Sequence, residues 1–354
     1  MTSPLKARLT NAAMLAAAVC ALGVHSAPAN AQRLFRSTDP LEVTFTTDLR
    51  SLVKDRDSTK FKPHGAVFAY KEPASGKLVS VPVTLQTRGH FRRQDRNCQF
   101  PPMSLAFRNK DANNTLLQGN TKLKVAVNCK PGNNMYEQYV LQEYAVYRLY
   151  QRFSPYYFRT RLAKVVFKDS LAKADDVTTW AFFIEDEKEV AKEFKTMLEK
   201  TKGALFDQLD QSQLAITMLF EYMVGNTDYS ISQQHNMSLL RDSTSTVIRT
   251  VAYDFDWSGV VNPRYATPDA RLGIKFVTER IYRGPCLTPT QWRETLDTFT
   301  NGRPAIDSIY KSIPSLDPRI VRESLEYYNE FFKATADAKS IKRSLIDPCQ
   351  RDGN

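Results

Sequence analysis

Apolar and polar positions alternate through much of the first half of the chain. Period-two runs at residues 41–45, 66–70 and 79–87 predict strands, the last two paired as a hairpin across Pro73-Ala74-Ser75-Gly76. Runs at 105–108, 123–127, 163–168 and 180–185 continue the pattern. One segment changes period. Over 137–153, Val140, Tyr144 and Tyr147, with Leu141, Ala145 and Leu149 alongside, recur at helical spacing, and Ser154-Pro155 ends the run. The second half reads as helical. Ser212 can cap a helix carrying Leu214, Met218, Phe220 and Met223 that Gly225 terminates. Asp317-Pro318 suits the start of a long amphipathic helix through Leu325, Tyr328, Phe331 and Phe332. The expected class is α+β, with two lobes: a strand-rich lobe at 32–185 with one helix, and a helical lobe at 186–354.

Composition narrows the class of protein. The chain has 354 residues, 42% hydrophobic and 25% charged, as a globular protein has. Residues 1–31 read as a signal peptide: Lys6 and Arg8 precede an apolar stretch at 9–24, and Ala29-Asn30-Ala31 offers a small-residue cleavage site. The mature chain would begin at Gln32 and be periplasmic or secreted. No later apolar run reaches the roughly eighteen residues a membrane span needs. Net charge is +11, yet basic residues are scattered except at Arg88, Arg92, Arg93 and Arg96. Such a cluster suits a few phosphates better than a nucleic-acid duplex, so no nucleic acid is expected. Cys98, Cys129, Cys286 and Cys349 form an even set in an exported chain, so two disulfides are expected. Three pairings are open, and the separations favour Cys98 with Cys129 and Cys286 with Cys349. A zinc site is disfavoured because no two of these cysteines are close in sequence.

Candidate chemistry concentrates between Met223 and Gly259. A helix ends at Gly225, a polar loop carries Asp228, and residues 237–241 and 247–253 can form two strands joined through Asp242-Ser243-Thr244-Ser245-Thr246. A turn centred near residue 245 sets Asn236 opposite Asp254, to within a residue or two. An amide oxygen and a carboxylate then share one mouth, a donor set suited to magnesium. Asp228, on the loop just before, can accept a proton from an attacking hydroxyl. Phosphoryl transfer asks for little more than aligned phosphates, neutralised charge and an oriented nucleophile.

These residues resemble the CotH-type spore-coat kinases, and more distantly the HipA-type and phosphoinositide-type kinases. Gly225-Asn226-Thr227-Asp228, His235-Asn236 and Tyr253-Asp254-Phe255-Asp256 stand where those proteins carry a catalytic Asp, a metal-binding Asn and an Asp-x-Asp metal motif. The resemblance implies a two-lobed protein-kinase-like fold, with Asp228 catalytic and Asn236, Asp254 and Asp256 as ligands of Mg2+ or Mn2+. In the first lobe, Thr87-Arg88-Gly89-His90 is similar to the segment lying over the nucleotide, with Arg92 and Arg93 available to phosphate oxygens. Lys122 and Lys124 share a strand face, and Lys124 is the chosen phosphate-binding lysine, oriented by an ion pair to Glu143. Glu185, in Phe183-Ile184-Glu185, falls where the lobes join and backbone groups can meet an adenine.

The leading expectation is an exported atypical kinase that moves a phosphoryl group from ATP to a hydroxyl of a protein. The alternative is a catalytically silent kinase-like binding module of the cell envelope. A hydrolase using Asp254 and Asp256 fits less well, since carboxylates two apart on a strand cannot flank one bond from opposite sides. Ser-His-Asp catalysis lacks a Gly-x-Ser-x-Gly.

Overall fold

Seven strands form the first half, and their side-chain alternation divides it into two cores. The structure is a computed structural model that describes residues 33–57, 59–60 and 62–351. The expected signal peptide lies outside the described residues. Residues Gln32–Asn354 make one unit. The strands are β1 (Leu41–Thr47), β2 (His64–Lys71), β3 (Leu78–Thr87), β4 (Met103–Ala106), β5 (Lys122–Val127), β6 (Thr160–Asp169) and β7 (Val177–Glu185). They close into a barrel in the order β1-β2-β3-β4-β5-β7-β6, and a parallel β6–β1 pairing from Leu41↔Ala163 to Thr47↔Asp169 seals it. Phe45, Phe68, Leu85, Leu123, Phe167 and Phe183 fill the interior. Alternate residues of β7, among them Trp180, Phe182 and Ile184, face the other way into a second core.

That second core is built around the helix α3 (Asn134–Phe153), which packs on the outside of β7. Two short helices, α1 (Leu49–Lys54) and α2 (Asn109–Ala112), precede it. After the barrel come α4 (Glu187–Glu193), β8 (Thr196–Glu199) and α5 (Gln211–Val224), then the hairpin β9 (Met237–Asp242) and β10 (Ile248–Ala252). The helices α6 (Pro289–Gly302), α7 (Pro304–Ser312) and α8 (Pro318–Ala336) follow. Tyr150 and Phe153 of α3 meet Phe220 of α5, and Phe153 stacks on Phe299 of α6, so α3 is the common wall of the helical part.

The α+β class and the long elements agree with the sequence pattern, and several details differ. The seven strands form a closed barrel, which is not the usual N-terminal lobe of a kinase. Asp210, not Ser212, caps α5, its carboxylate accepting the Gln213 N–H at 2.9 Å. The first half holds α1 and α2 besides α3, both too short to show a helical period. β8 was not anticipated because its four residues have no alternating burial. Its partner β9 lies far along the chain, which makes a three-stranded sheet of order β10-β9-β8. The disulfides join Cys98 to Cys129 and Cys286 to Cys349. No helix among the described residues is long and apolar enough to cross a membrane.

Candidate functional site

The end of α5 sets the first wall of the site. Gly225 stands at φ +69°, and its N–H bonds back to the Tyr222 carbonyl at 3.2 Å while the Asn226 N–H reaches Glu221 at 2.9 Å. A Cβ at residue 225 would strike the Tyr327 hydroxyl, so glycine is required by both dihedral and space. The Asn226 side-chain oxygen then accepts the Asp228 N–H at 3.1 Å and turns Asp228 out of the helix axis. Reciprocal backbone bonds between Ser230 and His235, 3.0 and 2.9 Å, fold the loop back on itself. This return brings Asn236 beside Asp228. Its amide nitrogen donates to the Asp228 carbonyl at 2.7 Å and to the carboxylate at 3.1 Å, while the His235 ring lies 3.1 Å from the other carboxylate oxygen.

The hairpin and α3 set the second wall. Ala252 pairs with Met237, and the Tyr253 N–H donates to the Asn236 carbonyl at 3.1 Å, so Asn236 faces Tyr253 and Asp254 lies one step beyond. The register thus lies one residue from Asn236 opposite Asp254, inside the residue or two expected from the turn. Two tyrosines of α3 receive the end of β10: Tyr150 accepts the Ala252 N–H at 3.2 Å, and Tyr147 accepts the Asp254 N–H at 2.8 Å. Glu143, one helical turn before Tyr147, is on the same face. The result is a group of three carboxylates, Glu143, Asp254 and Asp256, each with an oxygen within 4.8 Å of the others. Gln234, Asn236 and Asp254 have φ of +53°, +51° and +62°. Asn and Asp tolerate the left-handed region better than most residues, and here it lets the chain reverse tightly at both ends of the hairpin.

One guanidinium serves two of these carboxylates. Arg92 Nη2 is 3.5 Å from Asp254 and Arg92 Nε is 3.5 Å from Asp256, and Tyr265 donates to Asp256 at 3.2 Å. A single cation does not balance three acids. Burial, the neighbouring Asp256 and Asp254 together push Glu143 well above the ordinary carboxylate range despite Arg92. Burial likewise pushes Asp256 up to about 6, with Arg92 opposing and Asp254 adding to it. Asp254 goes the other way. Burial works to raise it, but Arg92, Arg88, Lys124 and His235 overcome that and hold it below the usual range. Asp254 keeps 29% of its side-chain surface open to solvent, so burial weighs less on it than its enclosed position suggests. Three cations, Arg92, Arg88 and Lys124, with the His235 ring beside them, therefore favour the ionised form of this carboxylate at the mouth of the cluster.

Most of the residues singled out from the sequence come together here, and a few do not. Asn236 is bonded to Asp228, Arg92 bridges Asp254 and Asp256, and the charges of Arg88 and Lys124 act on Asp254. Lys124 lies over the Tyr253 ring at 4.4 Å, on the outer face of β5. Its expected ion pair with Glu143 is replaced: the Lys124 ammonium is 3.9 Å from Glu187, at the start of α4, while Glu143 faces the hairpin. Burial and Arg88 lower the Lys124 pKa, and Glu187 opposes them. Arg93 is 1% exposed and bonds to Asp55 at 3.5 Å, so it is not turned to the cleft as expected. The Glu185 carboxylate is bound by Arg159 through its backbone N–H and guanidinium, and the Glu185 N–H goes to the Arg159 carbonyl at 3.1 Å. That N–H is spent within the protein and does not await an adenine.

The sequence reading missed His235 as a partner of Asp228, Tyr147 as the support of Asp254 and Glu143 as the third carboxylate. The one signal for the last two was the spacing of Glu143 and Tyr147 on a helix already recognised. Asp228 and His235 also border an open cleft of about 980 Å³ that includes Trp257, Thr267, Arg271 and Arg283. Arg283 steadies its floor by donating to the Thr227 and Tyr229 carbonyls at 2.8 and 3.2 Å.

The donor set suits a hard divalent cation. It is all oxygen, and one buried oxygen of Glu143 has no hydrogen-bond partner among the described residues. With its nitrogen given to Asp228, Asn236 has its amide oxygen left for such an ion. No family model matches the chain, and no curated protein does. Among solved structures, that of a Helicobacter pylori proinflammatory kinase, CtkA, aligns with 69% of this chain and 95% of its own length. The identity is 12% and the TM-score 0.40, a likeness too slight to fix a fold or a function.

Proposed function

We propose that the protein is an exported phosphotransferase that moves the γ-phosphoryl group of ATP to a hydroxyl of a protein. The observation that carries this reading is the Asp228–Asn236–Asp254 junction. Asn236 bonds to Asp228 through its side chain and to the residue before Asp254 through its backbone, so an acid facing an open cleft and an acid whose ionised form is favoured by the charges of Arg92, Arg88 and Lys124 share one joint. The reaction needs that arrangement. An acceptor hydroxyl in the cleft attacks the γ-phosphorus, the bond from that phosphorus to the β-phosphate oxygen breaks, ADP leaves, and the hydroxyl proton passes to Asp228. Asn236 and His235 orient the Asp228 carboxylate for that role. Arg88, Arg92 and Lys124 offer positive charge to the phosphates from the barrel side. Asp254, Asp256, Glu143 and the Asn236 amide oxygen would hold Mg2+ or Mn2+, which when bound neutralises phosphate charge. The two disulfides are consistent with an oxidising, extracytoplasmic compartment.

The test is transfer of labelled phosphate from ATP by the chain from Gln32 onward, with Mg2+ or Mn2+ and a generic protein acceptor. Wild type is expected to transfer label, and Asp228→Asn and Asp254→Asn to lose at least a hundredfold. Metal-dependent nucleotide binding without transfer would replace this reading with the silent binding module. Equal transfer by all three proteins would overturn the site.

A further inference from the structure

One buried acid has no part in the chemistry just described. Glu221 lies on the last turn of α5, is 0% exposed, and among the described residues neither of its carboxylate oxygens has a partner in normal hydrogen-bond geometry. An acid there is doubly unfavourable, because it is out of water and at the negative end of a helix dipole. A leucine would serve the packing better. Its immediate polar neighbour is Asn226, whose N–H is bonded to the Glu221 carbonyl at 2.9 Å and whose side-chain amide acts on the Glu221 carboxyl. The Asn226 amide nitrogen is itself buried and, among the described residues, outside normal hydrogen-bond geometry with any acceptor, while the oxygen of the same amide accepts the Asp228 N–H. The two unsatisfied groups complement each other, an amide donor and a carboxyl acceptor across one helix terminus.

We propose that Glu221 is a positioning residue for Asp228: its carboxyl holds the Asn226 amide in one orientation, and Asn226 in turn fixes the backbone at Asp228. A planar amide held at its nitrogen cannot rotate its oxygen away from the Asp228 N–H. The catalytic consequence rests on the role given to Asp228 above, whereas the structural link does not.

Glu221→Leu, Glu221→Gln, Asn226→Ala and the double variant Glu221→Leu/Asn226→Ala separate the possibilities. Amide hydrogen exchange at Asp228 reads the link directly, alongside global stability by urea unfolding and kcat and KM for transfer. Glu221→Leu is expected to be at least as stable as wild type, yet to exchange the Asp228 amide about tenfold faster and to lose about tenfold in kcat with KM unchanged. Glu221→Gln, which keeps an oxygen acceptor, recovers both to within about threefold. The double variant matches Asn226→Ala alone, because both changes break one chain of contacts. Wild-type exchange at Asp228 in Glu221→Leu, or additive effects in the double variant, would overturn the proposal. If Glu221→Leu does not fold, Glu221→Gln and Asn226→Ala carry the same exchange comparison. If wild type transfers no phosphate, the phosphotransferase reading falls and the exchange result still decides the role of Glu221.

Discussion

The hydroxyl of Tyr147 accepts the backbone N–H of Asp254 at 2.8 Å, tying the central helix to the residue on which the cations converge. The bond explains how Asp254 keeps a left-handed backbone at φ +62° just past the end of β10. It also places Glu143, one turn earlier on α3, within reach of the Asp254 carboxylate.

Removal of that hydroxyl has a calculable effect. Tyr147→Phe leaves an enclosed N–H unpaired, which costs about 1–3 kcal/mol in urea unfolding. Tyr144→Phe, whose hydroxyl accepts from the Arg148 guanidinium at 3.1 Å, is the matched control and is expected to change stability by about 0.5 kcal/mol or less. Equal losses in the two variants would detach Tyr147 from the site.

Arg92 is the guanidinium that offsets part of the charge of the carboxylate cluster, 3.5 Å from both Asp254 and Asp256. Arg92→Met leaves Glu143, Asp254 and Asp256 without their nearest cation and is expected to cost about 3–5 kcal/mol. Mn2+ should restore part of that loss, so the rise in melting temperature on adding the metal should be larger in the variant than in wild type. A variant that melts as wild type does, with no response to Mn2+, would exclude a cation site among these acids.

Glu221 gives a pH dependence of known sign. Burial lifts its carboxyl to about 8 from an ordinary 4.5, against the opposing pull of Asn226 and Arg283. A raised acid contributes its full share of stability below about 4.5, where both folded and unfolded chains are protonated, and loses it as pH climbs through about 8. The loss is on the order of a few kcal/mol. Glu221→Gln, neutral throughout, should therefore gain on wild type as pH rises from 5 to 9 in chemical denaturation. A constant difference over that range would show that Glu221 is already ionised in the folded protein.

The Cys98–Cys129 bond fastens the segment carrying Arg88, Arg92 and Arg93 to the end of β5. Replacing both cysteines with serine should cost about 2–4 kcal/mol, the usual worth of a native crosslink of this loop length. Nucleotide affinity should fall with it, because Arg92 would lose its fixed approach to Asp254. Titration of wild type and the serine variant with ATP and Mg2+ checks this, and unchanged affinity would show that the arginine segment holds its place unaided.

Much of this architecture was legible in the sequence. Strand alternation, the helical period of α3, the Gly225 stop and the Asp317-Pro318 start are local properties, set by backbone sterics and by which face of an element meets water. The nearness of Asp228, Asn236 and Asp254 was legible as well, because a helix end, a loop and a hairpin follow one another within a short stretch of chain. The sequence even placed the hairpin register to within one residue. What only the tertiary structure decided is every pairing between distant segments: β6 beside β1 to close the barrel, Lys124 with Glu187 instead of Glu143, Arg93 turned to Asp55, and Glu143 joined to Asp254 and Asp256. The last depends on how far α3 is rotated against β7, and the Lys124 pairing on where α4 leaves the barrel. A shift of one residue in either changes which charge meets which, and no local pattern encodes it.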